Sequence, residues 1–154
     1  MKRVLITGVT GFIGTRLAYD YSQSGWRVDG VATSAPTDLP MLDRYLQAKL
    51  PDARLATFIE QAPPDICIHC AGETSIQGSM DDPKNDFETS VTAIFELCEA
   101  LRCHAPSTRL VFLSSAAIYG NPPSLPIDES KAVAPVSGYG FHKAQCELIL
   151  KEFS

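Results

Sequence analysis

A tyrosine and a lysine near the end of this chain form the residue pair best suited to chemistry. Tyr139 and Lys143 are four residues apart, so on a helix their side chains share a face. Tyrosine is a poor base at neutral pH, but a neighbouring positive charge favours its phenolate form. Ser114 and Ser115 end an apolar run upstream and supply hydroxyl groups. Together, Tyr139, Lys143 and the two serines indicate a tyrosine activated as a general base. The four-residue spacing of tyrosine and lysine alone is also common on ordinary helix surfaces.

Three glycines at three-residue spacing form the second candidate site. Gly8, Gly11 and Gly14 follow the apolar run 4–6 and precede an amphipathic segment, which predicts a strand, a tight turn and a helix. Gly8 permits the turn, Gly11 leaves room for a pyrophosphate, and Gly14 allows the helix to pack against the strand. The N–H groups and dipole of the helix N-terminus favour an anion. The turn predicts dinucleotide binding, and a tight turn without a ligand is the alternative.

Strands and helices alternate along the rest of the chain. The alternation predicts an α/β fold with a doubly wound parallel sheet of about five strands, a Rossmann fold, over a single domain, residues 1–154. A polar loop is expected over 71–75, and the proline-rich stretch 121–138 is expected to be an active-site loop. The predicted strands begin near Val4 and then cover 26–32, 45–48, 65–69 and 107–113. The predicted helices follow Gly14, contain Leu55 and Ile59, and cover 83–103 and 139–153.

The tip of the second predicted strand bears on the choice of cofactor. Dinucleotide-binding folds commonly place an acidic residue there to bind the adenosine ribose. This chain has Ala32, Thr33 and Ser34 instead, with neither a carboxylate nor an arginine. The sequence at this strand tip therefore does not decide between NAD and NADP as the cofactor.

Composition excludes several classes of protein. The 13 basic and 18 acidic residues give a formal charge of −5, which argues against a nucleic-acid surface. No apolar run is long enough to cross a membrane and the start lacks a signal-peptide pattern, so we expect a cytoplasmic protein. Cys67 and Cys70 lie in the apolar run 65–71, which reads as a strand, so these residues, three apart, point to opposite faces and we expect no metal site. Small, buried thiols are the better explanation.

Four motifs, in order along nearly the whole chain, make it resemble the extended short-chain dehydrogenases/reductases, in particular the NAD-dependent epimerase/dehydratase family. They are TGVTGFIG at 7–14, HCAG at 69–72, FLSSAAIYG at 112–120 and YGFHK at 139–143. The resemblance implies a sugar-nucleotide substrate, NAD or NADP as cofactor, and an oxidoreductase or epimerase reaction at a hydroxyl-bearing carbon. The resemblance is also compatible with a homodimer as the oligomeric state.

The resemblance also implies roles for individual residues. Ser115 matches the catalytic serine or threonine, Tyr139 the catalytic base, and Lys143 the residue that activates the base and binds the nicotinamide ribose. No metal ligand is implied. The matching cofactor-binding positions are Gly8, Gly11, Phe12, Ile13, Gly14, Thr33, Lys49, Ala71, Gly72, Ser114, Tyr139 and Lys143.

Departures from the family pattern narrow the expected chemistry. Ala116 and Ala117 stand where dehydratases of the family usually carry an acid pair, which disfavours dehydration. Lys49 replaces an aspartate that often contacts adenine, and together with Thr33 and Ser34 it mildly favours NADP or a weakened cofactor preference. Ser90 stands where a helix asparagine is common. Family members typically continue into a C-terminal substrate domain, which we expect this chain to lack. An inactive dinucleotide-binding module or a fragment therefore remains the alternative to an active enzyme.

Overall fold

The computed structural model describes residues 1–37, 39–72 and 75–154. The five strands are β1 (Arg3–Thr7), β2 (Arg27–Ala32), β3 (Arg44–Gln47), β4 (Ile66–His69) and β5 (Arg109–Phe112). The helices are α1 (Phe12–Gln23), α2 (Arg54–Gln61), α3 (Ile76–Asp81), α4 (Pro83–Phe87), α5 (Ala93–His104) and α6 (Gly138–Glu152). A π-helical turn covers Glu88–Thr92 and a 3₁₀ turn covers Ala116–Tyr119.

The chain divides into two compact units. The first, here called the sheet unit, contains residues 1–71 and 96–113 and holds all five strands. The second, the helical unit, contains residues 72–95 and 114–154, with α3, α4, both short turns and α6.

The sheet is parallel, with strand order β3-β2-β1-β4-β5. Because the strands are parallel, their carboxyl ends lie at one edge: Thr7 is paired with Val31 and His69, and His69 with Phe112. The strand order reverses between β1 and β4, which is where doubly wound sheets bind their ligands. The predicted fold class is confirmed.

Burial explains why β1 forms the centre of the sheet. Val4, Leu5 and Ile6 are all fully buried, so both faces of this strand are covered. The two edge strands are less protected, and Val111 of β5 is 37% exposed.

Asp29 in β2 is also buried, and its carboxylate is bound by Arg3 at 2.6 Å and Arg44 at 3.2 Å. Burial raises the pKa of Asp29, against the opposing effect of the two guanidinium groups.

The helical unit departs most from the sequence-based prediction. The helix expected over 83–103 is present but is interrupted by the π-helical turn at Glu88–Thr92. Helix α3 and the 3₁₀ turn were not predicted, because segments of four to six residues are too short to show a helical period. Of the polar loop expected over 71–75, Glu73 and Thr74 lie outside the described residues. No helix within the described part of the chain has the length and hydropathy needed to cross a membrane.

Candidate functional site

The predicted glycine turn connects β1 to α1 in the sheet unit. Gly8 has a φ of 67°, a left-handed conformation that favours glycine, and donates its N–H to Val31 at 2.7 Å. Gly11 donates its N–H to the Gly8 carbonyl at 2.9 Å and is the N-cap of α1. Because Gly11 has no side chain, it cannot cap the first N–H groups of α1, at Phe12 and Ile13.

Close backbone packing fixes the shape of this turn. A Cβ atom at Gly14 would lie 2.2 Å from the Gly8 oxygen, so only glycine lets α1 begin this near to β1. A Cβ atom at Gly8 would lie 2.8 Å from the Ala71 nitrogen, after β4. The structure therefore brings Gly8 and Ala71 together, as expected of residues that border one dinucleotide. This cradle of backbone N–H groups without side chains fits a pyrophosphate.

A buried hydroxyl links the ends of β1 and β4. Thr7 Oγ1 lies 2.8 Å from His69 Nδ1 and accepts the Ala71 N–H at 3.2 Å. Thr7 and His69 are almost completely buried, and the His69 ring stacks on Phe112 of β5. The network holds Ala71 in place beside the glycine turn.

The tips of β2 and β3 bring Thr33 and Lys49 near each other. Ala48 donates its N–H to the Ala32 carbonyl at 2.9 Å, and Thr33 and Lys49 directly follow these paired residues. Gln47 Nε2 donates to the Thr33 carbonyl at 3.0 Å and ties the two tips together. Both predicted cofactor residues are exposed, and their role stays a prediction.

Tyr139 and Lys143 lie in the first turns of α6, in the helical unit, with the shared face that their spacing predicts. Lys143 Nζ lies 5.8 Å from the centroid of the Tyr139 ring. The Lys143 side chain is 7% exposed and Tyr139 is half-buried. The two side chains thus lie on one face of α6, and their catalytic roles stay a prediction.

The two serines after β5 make different contacts in the same unit. Ser115 is the N-cap of the 3₁₀ turn, and its Oγ accepts the Ala117 N–H at 3.2 Å. Its hydroxyl hydrogen remains available as a donor. Ser114 Oγ donates to Glu147 Oε1 at 2.5 Å. Glu147 was missed in the sequence, although it continues the four-residue spacing of Tyr139 and Lys143.

Two further residues that hold α6 were also missed. Ser79 of α3 is buried, accepts the backbone N–H of Tyr139 at 3.1 Å and donates to the Ile76 carbonyl at 2.7 Å. Asp86 of α4 is buried, and its carboxylate contacts the His142 side chain of α6. Ser79 and Asp86 precede α6 by more than fifty residues, so no local spacing indicates their contacts with it.

Gly72 and Ser90, also in the helical unit, lie near each other. Gly72 is exposed with a φ of 132°, and a Cβ atom built on it would lie 3.8 Å from Ser90 Oγ. Ser90 is in the π-helical turn and is buried. The Ser90 hydroxyl donates to the carboxylate of Asp86 in α4. Ser90 therefore makes a hydrogen bond at the position where the family often has asparagine.

The two cysteines of the 67–70 motif differ in burial. Cys67 is fully buried, and burial raises the pKa of its thiol, while Cys70 is half-buried beyond the end of β4. Within residues 1–37, 39–72 and 75–154, no group of three or more His, Cys, Asp or Glu side chains could hold a metal ion. The interpretation as a small buried thiol is confirmed for Cys67, whereas the prediction that Cys70 is buried in the same strand is wrong, because β4 ends at His69.

Residues 4–154 match the family model described as NAD dependent epimerase/dehydratase family. The chain belongs to this family, as the four motifs indicate.

Individual relatives agree with this assignment. UDP-glucose 4-epimerase of Mycolicibacterium smegmatis is 28% identical over 159 residues, covering 98% of this chain and 51% of that protein. D-erythronate dehydrogenase of Haemophilus influenzae is 32% identical over 160 residues, covering 99% of this chain and 50% of that protein. The crystal structure of UDP-glucose 4-epimerase from Brucella ovis in complex with NAD has a TM-score of 0.92 at 27% identity, covering 99% of this chain and 48% of that chain. This chain thus spans about half the length of these relatives.

Proposed function

We propose that this chain binds NAD at the β1–α1 turn and uses Ser115, Tyr139 and Lys143 to epimerise a hydroxyl-bearing carbon of a UDP-sugar. The observation that carries the proposal is the placement of Lys143 Nζ 5.8 Å from the Tyr139 ring centroid, in a chain of this family. The names of its relatives support UDP-glucose as the first substrate to test.

The sheet unit supports the cofactor part of the proposal. The backbone N–H groups at the start of α1 bind the pyrophosphate, and the absence of side chains at Gly8, Gly11 and Gly14 admits it. Thr33 and Lys49 face the adenosine half, and Ala71 borders the bound dinucleotide. The Brucella ovis structure contains NAD, which supports NAD over NADP as the cofactor. When bound, NAD supplies the acceptor, and later the donor, of the hydride that leaves and returns to the substrate carbon.

The helical unit supports the proton chemistry. Tyr139, as phenolate, accepts the proton of the substrate hydroxyl, which becomes a keto group as the carbon is oxidised. Ser115 donates a hydrogen bond to the same oxygen throughout. Lys143 stabilises the phenolate before this transfer, and the proton returns from Tyr139 when the keto group is reduced on its opposite face. The alanines at 116 and 117 provide no acid or base for eliminating water, which supports epimerisation over dehydration.

The direct test is to incubate the chain with NAD⁺ and UDP-glucose and to follow UDP-galactose by NMR. We expect the parent chain to form UDP-galactose. We expect Tyr139→Phe to lose turnover by at least about a hundredfold, since it lacks the general base, while it binds NAD⁺ with the parent affinity. Equal turnover by the parent and Tyr139→Phe would contradict the assignment of the base.

A dinucleotide-binding module without turnover is the second candidate. The observation that favours it is that the glycine turn lies wholly in the sheet unit, whereas Ser115, Tyr139 and Lys143 lie in the helical unit. NAD⁺ binding without any turnover of UDP-sugars by the purified chain would support this candidate over the first. Turnover that depends on Tyr139 would exclude it.

A further inference from the structure

A buried carboxylate in α4 binds the helix that carries Tyr139 and Lys143. Asp86 is 1% exposed, and both of its oxygen atoms have a donor. Oδ2 lies 2.6 Å from His142 Nδ1, and Oδ1 accepts the Ser90 hydroxyl at 3.2 Å. The His142 tautomer with its proton on Nδ1 is the one that donates to a carboxylate oxygen in this contact. A carboxylate taken out of water is costly unless it is bonded in this way, so the contact with His142 is strongly constrained.

The imidazole of His142 is also held by its surroundings. Its side chain is 13% exposed, and the Phe87 ring meets it edge to face with the ring centroids 5.4 Å apart. A ring bonded at one nitrogen and packed against an aromatic face has little freedom of rotation. Asp86 and Phe87, which are adjacent in α4, thus fix both the position and the plane of this ring.

The place of His142 in α6 links this contact to the proposed chemistry. His142 comes three residues after Tyr139 and directly before Lys143. On a helix, residues three and four apart are neighbours, so a bond that fixes the rotation of α6 at 142 also fixes the directions of the side chains at 139 and 143. An error of about 1 Å at reacting groups can lower a rate by about a hundredfold. A small rotation of α6 at His142 would therefore displace the side chains of Tyr139 and Lys143.

We propose that Asp86 and His142 form a positioning pair that sets the orientation of Tyr139 and Lys143. The pair acts through the helix and touches neither substrate nor cofactor. This inference rests on the proposed function for its catalytic consequence, but the contact and its effect on α6 are independent of turnover.

Substitutions at His142 separate the hydrogen bond from the size of the side chain. In asparagine the amide nitrogen is attached to Cγ, as Nδ1 is in histidine, so His142→Asn keeps a donor for Asp86. In glutamine the nitrogen is one atom further out, at the place of Nε2, so His142→Gln loses the donor at the correct distance. Asp86→Ala removes the acceptor of both His142 and Ser90, so its effect should be at least as large as that of His142→Gln.

The first measurement is hydrogen–deuterium exchange of a peptide that spans Tyr139–Lys143, with a peptide that spans β1 as the internal reference. We expect His142→Gln and Asp86→Ala to raise exchange in α6 by on the order of tenfold, and His142→Asn to stay near the parent. Exchange in β1 should not change. Equal exchange of α6 in His142→Asn and His142→Gln would overturn the proposal, as would equal acceleration in β1, which would indicate general destabilisation.

The second measurement is turnover of UDP-glucose by the same variants. We expect His142→Gln to lower kcat by roughly tenfold to a hundredfold with KM and NAD⁺ affinity unchanged, and His142→Asn to restore most of kcat. A rise in KM with kcat unchanged would overturn the positioning role. If the parent neither binds NAD⁺ nor turns over, the proposed function fails, while the exchange comparison still decides whether the pair holds α6.

Discussion

Gly140 of α6 packs directly on the Ala117 carbonyl of the 3₁₀ turn. A Cβ atom at Gly140 would lie 2.6 Å from the Ala117 oxygen, closer than any side chain can approach. Ala117 is also the residue whose N–H binds Ser115 Oγ at 3.2 Å. The glycine between Tyr139 and Lys143 therefore lets the tyrosine-bearing turn of α6 come near the serine-bearing turn after β5.

Substitution of Gly140 by alanine tests this contact. We expect Gly140→Ala to lower the free energy of unfolding by about 2 kcal/mol, because the added methyl group meets backbone that must move. We also expect turnover to fall, since the tyrosine and serine move apart. Thermal denaturation and the UDP-glucose assay measure the two effects.

Gly138→Ala is the matched control in the same turn of α6. A Cβ atom at Gly138 would lie 3.6 Å from the Ser79 oxygen, an ordinary contact distance. We expect this variant to stay within about 0.5 kcal/mol of the parent. Equal stability of the two variants would show that the Gly140–Ala117 contact does not constrain the helix.

A second pair of glycines separates backbone strain from close packing in the sheet unit. Gly8 and Gly25 both have positive φ, at 67° and 76°, but a Cβ atom at Gly25 would meet nothing within 4 Å. We expect Gly25→Ala to cost about 1 kcal/mol of stability from the left-handed conformation alone. Gly8→Ala should cost about 3 kcal/mol in sum, because its methyl group also meets the Ala71 nitrogen. Chemical denaturation measures the free energy of unfolding of both variants. Similar losses for Gly8→Ala and Gly25→Ala would show that the Ala71 nitrogen does not pack tightly against Gly8.

The two serines after β5 should differ in their effect on turnover. We expect Ser115→Ala to lower kcat by roughly a hundredfold, because it removes the hydrogen bond that we propose this side chain donates to the substrate oxygen. Ser114→Ala removes the contact with Glu147 and should lower kcat by less than about tenfold. Steady-state kinetics of both variants test this order. A larger loss for Ser114→Ala would assign the catalytic hydroxyl to Ser114.

The thiols should react in an order set by exposure and by pKa. Burial raises the pKa of Cys67, and that of Cys98 to about 11, so at pH 8 these thiols hold very little of the reactive thiolate. Cys103 is exposed and should react first with maleimide. Peptide mass spectrometry at increasing times measures the order. Rapid labelling of Cys67 in the folded protein would contradict its burial, and denaturant should make all five thiols reactive.

Much of the sheet unit could be predicted from the sequence. The run at 4–6 is buried on both faces, and glycine at 8, 11 and 14 has few roles outside a tight strand–turn–helix connection. The shared helix of Tyr139 and Lys143 was predictable for the same reason, because it depends on spacing within a single element.

The contacts that hold α6 could not be predicted in this way. Ser79 and Asp86 bind α6 across fifty-six to sixty residues of sequence, and α3, which carries Ser79, is only six residues long. The π-helical turn at Glu88–Thr92 inserts an irregular step into a helix whose apolar period looks continuous. Long-range side-chain contacts of this kind depend on packing, which local periodicity does not record.

The central claim is that NAD binds at the glycine turn, and calorimetric titration with NAD⁺ tests it most directly. The parent and Gly25→Ala should bind NAD⁺ with equal affinity and one site per chain, because the Gly25 substitution enters open space. Gly8→Ala should bind at least about tenfold more weakly, a change of about 1.4 kcal/mol, because its methyl group displaces the turn proposed to hold the pyrophosphate. Absence of binding by the parent chain, or equal binding by all three proteins, would contradict the account.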